Sequence, residues 1–156
     1  MLFRSHYHGV PFALLRRLAQ DTPRMTLVGW AADGFPIYAV WAHRVAADPT
    51  APVAVMKSSF RLKTGARPAA NGQPGGTFSG IFEEDFIYVA GSGDLDECGG
   101  RTGVTPEFPE GTYYYVLTED YPFVPRAFRG QPDASFAVRN GPPPGAKKGG
   151  RGGPPF

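Results

Sequence analysis

Residues 27–38 read LVGWAADGFPIY, two β-rich runs on either side of Asp33-Gly34. An Asp-Gly pair between apolar runs is the residue choice of a tight hairpin, because both residues tolerate the left-handed backbone that a two-residue turn requires. Pro36 opens the second run, a position where a missing amide does not interrupt a ladder. The stretch therefore predicts an antiparallel hairpin, and with it a β class for the chain.

On the amino-terminal side, PFALLRRLAQ (11–20) sets Phe12, Leu14, Leu15 and Leu18 at helical spacing behind Pro11, a natural first-turn residue. One short helix is expected there. On the carboxyl side, VAVMKSSFRLKTG (53–65) alternates in part, with Phe60 and Leu62 opposed to Lys57, Arg61 and Lys63, as a half-buried strand would. Residues 67–76 are a loop by composition. Residues 77–91 read as one or two strands and 111–121 as another, since aromatic and β-branched side chains favour pleated surfaces. The run TYYY within 112–115 reads as core and cross-strand packing. The expected fold is mainly β: a single antiparallel sandwich or partial barrel with one short N-terminal helix.

The 156 residues fit one domain with a single core. Glycine (21) and proline (17) together approach a quarter of the chain, which favours many short turns over long helices. The net charge of +2 divides unevenly. Four basic residues (Arg139, Lys147, Lys148, Arg151) and no acid lie in 137–156, leaving 1–136 with twelve basic against fourteen acidic groups. A mildly acidic body argues against a phosphate-binding surface, so no nucleic acid is expected for it. The Gly/Pro-rich segment 137–156 is expected to be a disordered, solvated tail, with weak RNA contact as the alternative use of its RGG-like composition. Charges or prolines interrupt every apolar run, so no transmembrane segment is expected. Cys98 is the single cysteine, which excludes an internal disulfide. Residues 1–10 show no export signal, so the chain either stays inside or starts further upstream.

Several blocks carry a family pattern: His6-Tyr7-His8-Gly9 with Pro11, residues 27–38, KSSFRLK with Arg67-Pro68, the long block 74–113 that includes YVAGSGDLDECGGR, and LTEDYPFVPRAFRG (117–130). From about residue 5 to residue 136 the chain resembles the YHYH-domain family, named for a Tyr-His-Tyr-His motif. The resemblance implies a bacterial, largely exported protein of unestablished activity, and so a periplasmic or secreted location. The chain departs from the pattern at Ser5, where the family has its first tyrosine, but keeps the histidine pair. Some members carry a histidine where this chain has Tyr114, and some a cysteine where it has Phe12-Ala13-Leu14; any disulfide that the resemblance implies between that cysteine and Cys98 is absent here.

On an extended strand His6 and His8 project to one side with their Cα atoms about 6.6 Å apart, a spacing at which two imidazoles can share one ion. Zn or Cu suits nitrogen ligands at that separation, and a structural Zn needs four ligands, a catalytic one usually three. Candidate further ligands are Asp33, His43, Asp94, Asp96 and Glu97. The alternative is two histidines bonded to backbone at a sheet edge. In the loop 90–103, Asp94, Asp96 and Glu97 crowd between glycines, so a cation or an arginine must offset their repulsion. Arg101 is the internal partner and Ca²⁺ the external one, although no EF-hand spacing is present. Cys98 in the same loop has no histidine beside it in sequence, so a nucleophile role has no support. No G-x-S-x-G elbow, P-loop or H-E-x-x-H occurs. Three functions stay open: a metal-binding domain using His6 and His8, a non-enzymatic binding or self-assembly module including a homo-oligomer, and a metal-dependent hydrolase or oxidase.

Overall fold

The structure is a computed structural model describing Ala13, Arg17, and residues 22–69 and 74–136. It is mainly β. A four-stranded sheet runs in the order β1 (Leu27–Trp30), β2 (Pro36–Tyr38), β10 (Thr112–Val116), β9 (Gly100–Gly103). Three two-stranded ribbons surround it: β3 (Trp41–His43) with β4 (Val53–Val55), β5 (Phe60–Leu62) with β8 (Phe86–Tyr88), and β6 (Ala66–Arg67) with β7 (Gly76–Thr77).

The hairpin expected at Asp33-Gly34 is β1 and β2, antiparallel with Leu27 opposite Tyr38 and Trp30 opposite Pro36. Gly34 has φ +84°, the left-handed backbone that the turn requires. The ladder then departs from a simple meander. β10 lies parallel to β2, with Tyr115 beside Ile37 and Val116 beside Tyr38, and antiparallel to β9. A parallel pair needs a long connection, and here it is residues 39–111, which hold the three ribbons.

β10 is buried on both faces and its side chains alternate between two clusters. Tyr114 and Val116 join Met25, Tyr38, Ala42, Met56 and Leu95 on one side. Tyr113 and Tyr115 join Cys98 on the other, with Ala31, Phe35 and Ile37 packed against them. The tyrosine run is thus core. Edge-to-face ring pairs, Tyr38 with Tyr114 at 5.4 Å and Phe35 with Tyr113 at 5.1 Å, fill the two sides.

Two expectations are corrected. The architecture is not a single antiparallel sandwich or a partial barrel but one mixed sheet with separate short ribbons. Strands of two to five residues between Gly- and Pro-rich turns are too short to curl into a closed sheet. The run 53–65 is not one strand: β4 pairs with β3 and β5 with β8, and the chain turns between them at Met56–Ser59. Leu62, expected inside, is exposed. The helix expected over 11–20 lies almost wholly outside the described residues. Of its positions only Ala13 and Arg17 are described, both with helical backbone. The segment 137–156 also lies outside them. No helix among the described residues is long and apolar enough to cross a membrane.

The two ends of the 67–76 segment, read as loop by composition, are paired. Arg67 and Gly76 are opposed in the β6–β7 ribbon, and Arg67 is buried, its Nη1 2.6 Å from Oδ1 of the fully buried Asp85. Arg67 Nε donates to the Pro74 carbonyl at 2.8 Å, and its guanidinium lies 4.1 Å from the Phe82 ring centre. Asp85 Oδ2 accepts from the amides of Ser79 and Gly80. Burial alone would push the Asp85 carboxyl up; the Arg67 bond and these amides outweigh it and hold it below its ordinary value of 3.8.

Candidate functional site

Of the sequence-predicted site residues, His6 and His8 lie outside the described residues. The other five are placed in three different locations. Asp33 sits in the β1–β2 turn, His43 on β3, and Asp94, Asp96 and Glu97 together beside β9. Among the described residues no group of three or more His, Cys, Asp or Glu side chains could hold a metal ion.

Tyrosine hydroxyls account for two of these carboxylates. Buried Tyr115 donates to Asp33 Oδ2 at 2.5 Å and accepts the Arg129 amide at 2.6 Å, while the Gly130 amide donates to the same carboxylate oxygen at 2.9 Å. Burial pushes the Asp33 carboxyl up, but the Tyr115 hydroxyl and the Gly130 amide together hold it below its ordinary value. Tyr113 lies 3.0 Å from both oxygens of Asp96, whose Oδ1 also accepts the amides of Cys98 at 2.9 Å and Gly100 at 3.0 Å. Burial, and then the neighbouring carboxylate, raises the pKa of Tyr113 and of Tyr115, so both phenols stay protonated as donors.

The expected neutralisation of the acidic loop by Arg101 is corrected. Arg101 stands opposite Tyr114 in the β9–β10 register. Its guanidinium reaches the His43 carbonyl at 3.1 Å and Met56 Sδ at 3.2 Å, and no ion pair joins it to the acids among the described residues. Backbone amides answer the charge instead. Asp94 Oδ2 accepts the Lys57 amide at 2.8 Å, Asp94 returns its own amide to the Lys57 carbonyl at 2.9 Å, and Asp96 takes two amides and a phenol. The three acids still border one open cleft of about 460 Å³, together with Arg101, Tyr113 and Arg129. Cys98 is buried, its thiol pushed up by burial and then by Asp96 and Glu97, so it lacks the thiolate character of a nucleophile.

A second cleft, of about 550 Å³, lies where β3 approaches the Thr105–Phe108 turn. Alternation along β3 buries Ala42 and turns Trp41 and His43 to the other side. His43 Nδ1 lies 2.7 Å from the Ala51 carbonyl. A carbonyl only accepts, so Nδ1 carries a proton, and in the singly protonated ring Nε2 is the acceptor. Across the cleft stands Glu107, which no sequence motif singles out. Fully buried Tyr38 donates to its Oε2 at 2.6 Å; the Thr105 hydroxyl lies 2.8 Å from the Tyr38 oxygen and accepts the Phe108 amide at 3.0 Å. Since Tyr38 has one proton and a carboxylate only accepts, the bonds run in one direction, from Phe108 through Thr105 and Tyr38 to Glu107. Burial and Glu107 together raise the Tyr38 pKa.

No curated protein and no solved structure matches the chain. The family model described as "YHYH protein" matches residues 4–130, from just before His6 through the sheet and ribbons to Gly130, and the chain belongs to that family.

Proposed function

We propose that this YHYH-family protein is a metal-binding domain that takes Cu or Zn through His6 and His8 and acts outside the cytoplasm. The observation that carries this reading is the His-x-His spacing inside the matched family region. Two imidazoles on one side of an extended segment are held in register by the backbone before an ion arrives, which lowers the entropic cost of binding. Further ligands come from Asp33, His43, Asp94, Asp96 or Glu97, or from solvent. Asp33 and Asp96 each hold hydrogen bonds that a metal would have to displace. His43 keeps Nε2 outside its Ala51 bond and Glu97 is exposed, so a metal would displace fewer existing hydrogen bonds at these two. Calcium at Asp94–Glu97 is the weaker cation reading, because backbone amides already occupy one oxygen each of Asp94 and Asp96.

Calorimetric titration of the full chain with Zn²⁺ and, separately, Cu²⁺ tests the proposal. One ion should bind per chain, and the His6→Ala, His8→Ala double variant should lose it. Equal affinity in the double variant would remove the assignment. A binding module without metal is the second reading, favoured by the two open clefts and by large apolar side chains left exposed, among them Trp30, Ile81 and Ile87.

A further inference from the structure

We propose that the cleft between β3 and the Thr105–Phe108 turn binds a primary ammonium group carried on an apolar body. Two hydrogen-bond acceptors border this one cleft, and each is fixed from behind. Glu107 is anchored by the phenol of Tyr38, a side chain with no solvent exposure, at the end of a directed chain of donors. His43 is fixed by its Nδ1 bond to Ala51, which leaves Nε2 as the acceptor. A carboxylate and an imidazole Nε2 whose partner nitrogen is already bonded call for a ligand that donates, and an ammonium group offers three donors with one positive charge. Met25, Leu27, Val53 and Pro106 supply apolar wall, so the rest of the ligand is aliphatic or aromatic. Arg24 also borders the cleft and has interactions of its own. Recognition therefore rests on directed acceptors rather than on net charge. Fixed first contacts supported by buried second contacts are the arrangement of a preorganised site, since little side-chain freedom remains to be lost on binding. This inference does not depend on His6 or His8.

The test is amide-resolved NMR of the full chain titrated with n-hexylamine, which is an ammonium ion at neutral pH, beside hexan-1-ol, hexanoate and Zn²⁺ as separate probes. Hexylammonium should give saturable shifts at the amides of His43, Ala51, Thr105, Glu107 and Phe108. Glu107→Gln, an isosteric change at an exposed side chain, should weaken that binding at least tenfold while the amides of β9 and β10 keep their positions. His43→Phe should weaken it as well, with the same spectral check on the fold. An equal response to hexan-1-ol would show only an apolar groove and overturn the proposal. Unchanged affinity in Glu107→Gln, no saturable shift, or a response to Zn²⁺ with none to the amine would overturn it too.

Discussion

Tyr115 Oη donates to Asp33 Oδ2 across 2.5 Å, joining the centre of β10 to the hairpin turn 82 residues away. The same phenol oxygen accepts the Arg129 amide, so one side chain ties the hairpin, the central strand and the segment after Pro125 together. Tyr115→Phe removes both bonds and leaves a partly buried carboxylate short of a donor. The expected loss is about 1–3 kcal/mol in urea unfolding. A loss below a few tenths would mean that Asp33 finds other partners.

The buried Arg67–Asp85 pair gives a second prediction. Arg67→Met leaves the Asp85 carboxylate buried with amides alone, and removing one partner of a buried pair is strongly destabilising. Tm should fall by roughly 10 °C or more, and calorimetry of the variant against the parent checks it.

Acid unfolding follows from the same pair. The folded carboxyl of Asp85 lies below its ordinary value of 3.8. Its contribution is therefore complete above about that pH and is lost as pH falls through the folded value. Asp85→Asn, less stable than the parent near neutrality, should show a flatter decline of stability below pH 4. A decline as steep as the parent's would place the acid sensitivity on other carboxylates, Asp33 first among them.

Gly100 is the tightest point around the Tyr113–Asp96 contact. A Cβ there would lie 2.3 Å from the Tyr113 hydroxyl and 2.6 Å from the Tyr114 carbonyl. Gly100→Ala must therefore push β9 from β10 or Tyr113 from Asp96, at a cost of about 1–3 kcal/mol. Gly34→Ala offers the comparison, since nothing stands within 4 Å of its Cβ and the cost there comes from the left-handed backbone alone.

The short-range part of this structure was legible in the sequence and the long-range part was not. Asp33-Gly34 with Pro36 behind it encodes its hairpin locally, and the tyrosine run of β10 declares burial through composition. The parallel pairing of Ile37 with Tyr115 depends on contacts 78 residues apart that no local pattern carries. The partial alternation of residues 53–65 was misleading, because the chain bends at Met56–Ser59 and its halves enter different ribbons. At the candidate sites, the sequence singled out Asp33, Asp96 and His43 as candidate metal ligands, but not the tyrosines that hold Asp33 and Asp96. Arg67 opened a stretch that read as loop and Glu107 lay where no element was expected, and their roles come from Asp85 and Tyr38, distant in the chain. The crowding of Asp94, Asp96 and Glu97 suggested a cation or Arg101. Counting backbone amides in a Gly-rich turn would have been the better guide, since each glycine lets the chain fold its own donors onto a carboxylate.

The acidic loop should be indifferent to calcium. With Asp94 and Asp96 held by amides and Tyr113, adding Ca²⁺ or chelating it should leave Tm within about 1 °C. Asp96→Ala should be destabilised by about 1–3 kcal/mol in either condition. Stabilisation by millimolar Ca²⁺ that disappears in Asp96→Ala would restore the loop as a cation site.

The claim that the histidine pair holds a metal is tested most directly by elemental analysis of the full chain, purified without chelators or an affinity tag. The parent should carry close to one Cu or Zn per chain, and the His6→Ala, His8→Ala variant, prepared in parallel, close to none. Equal metal content in the two proteins, or none in either after equilibration with both ions, would contradict it.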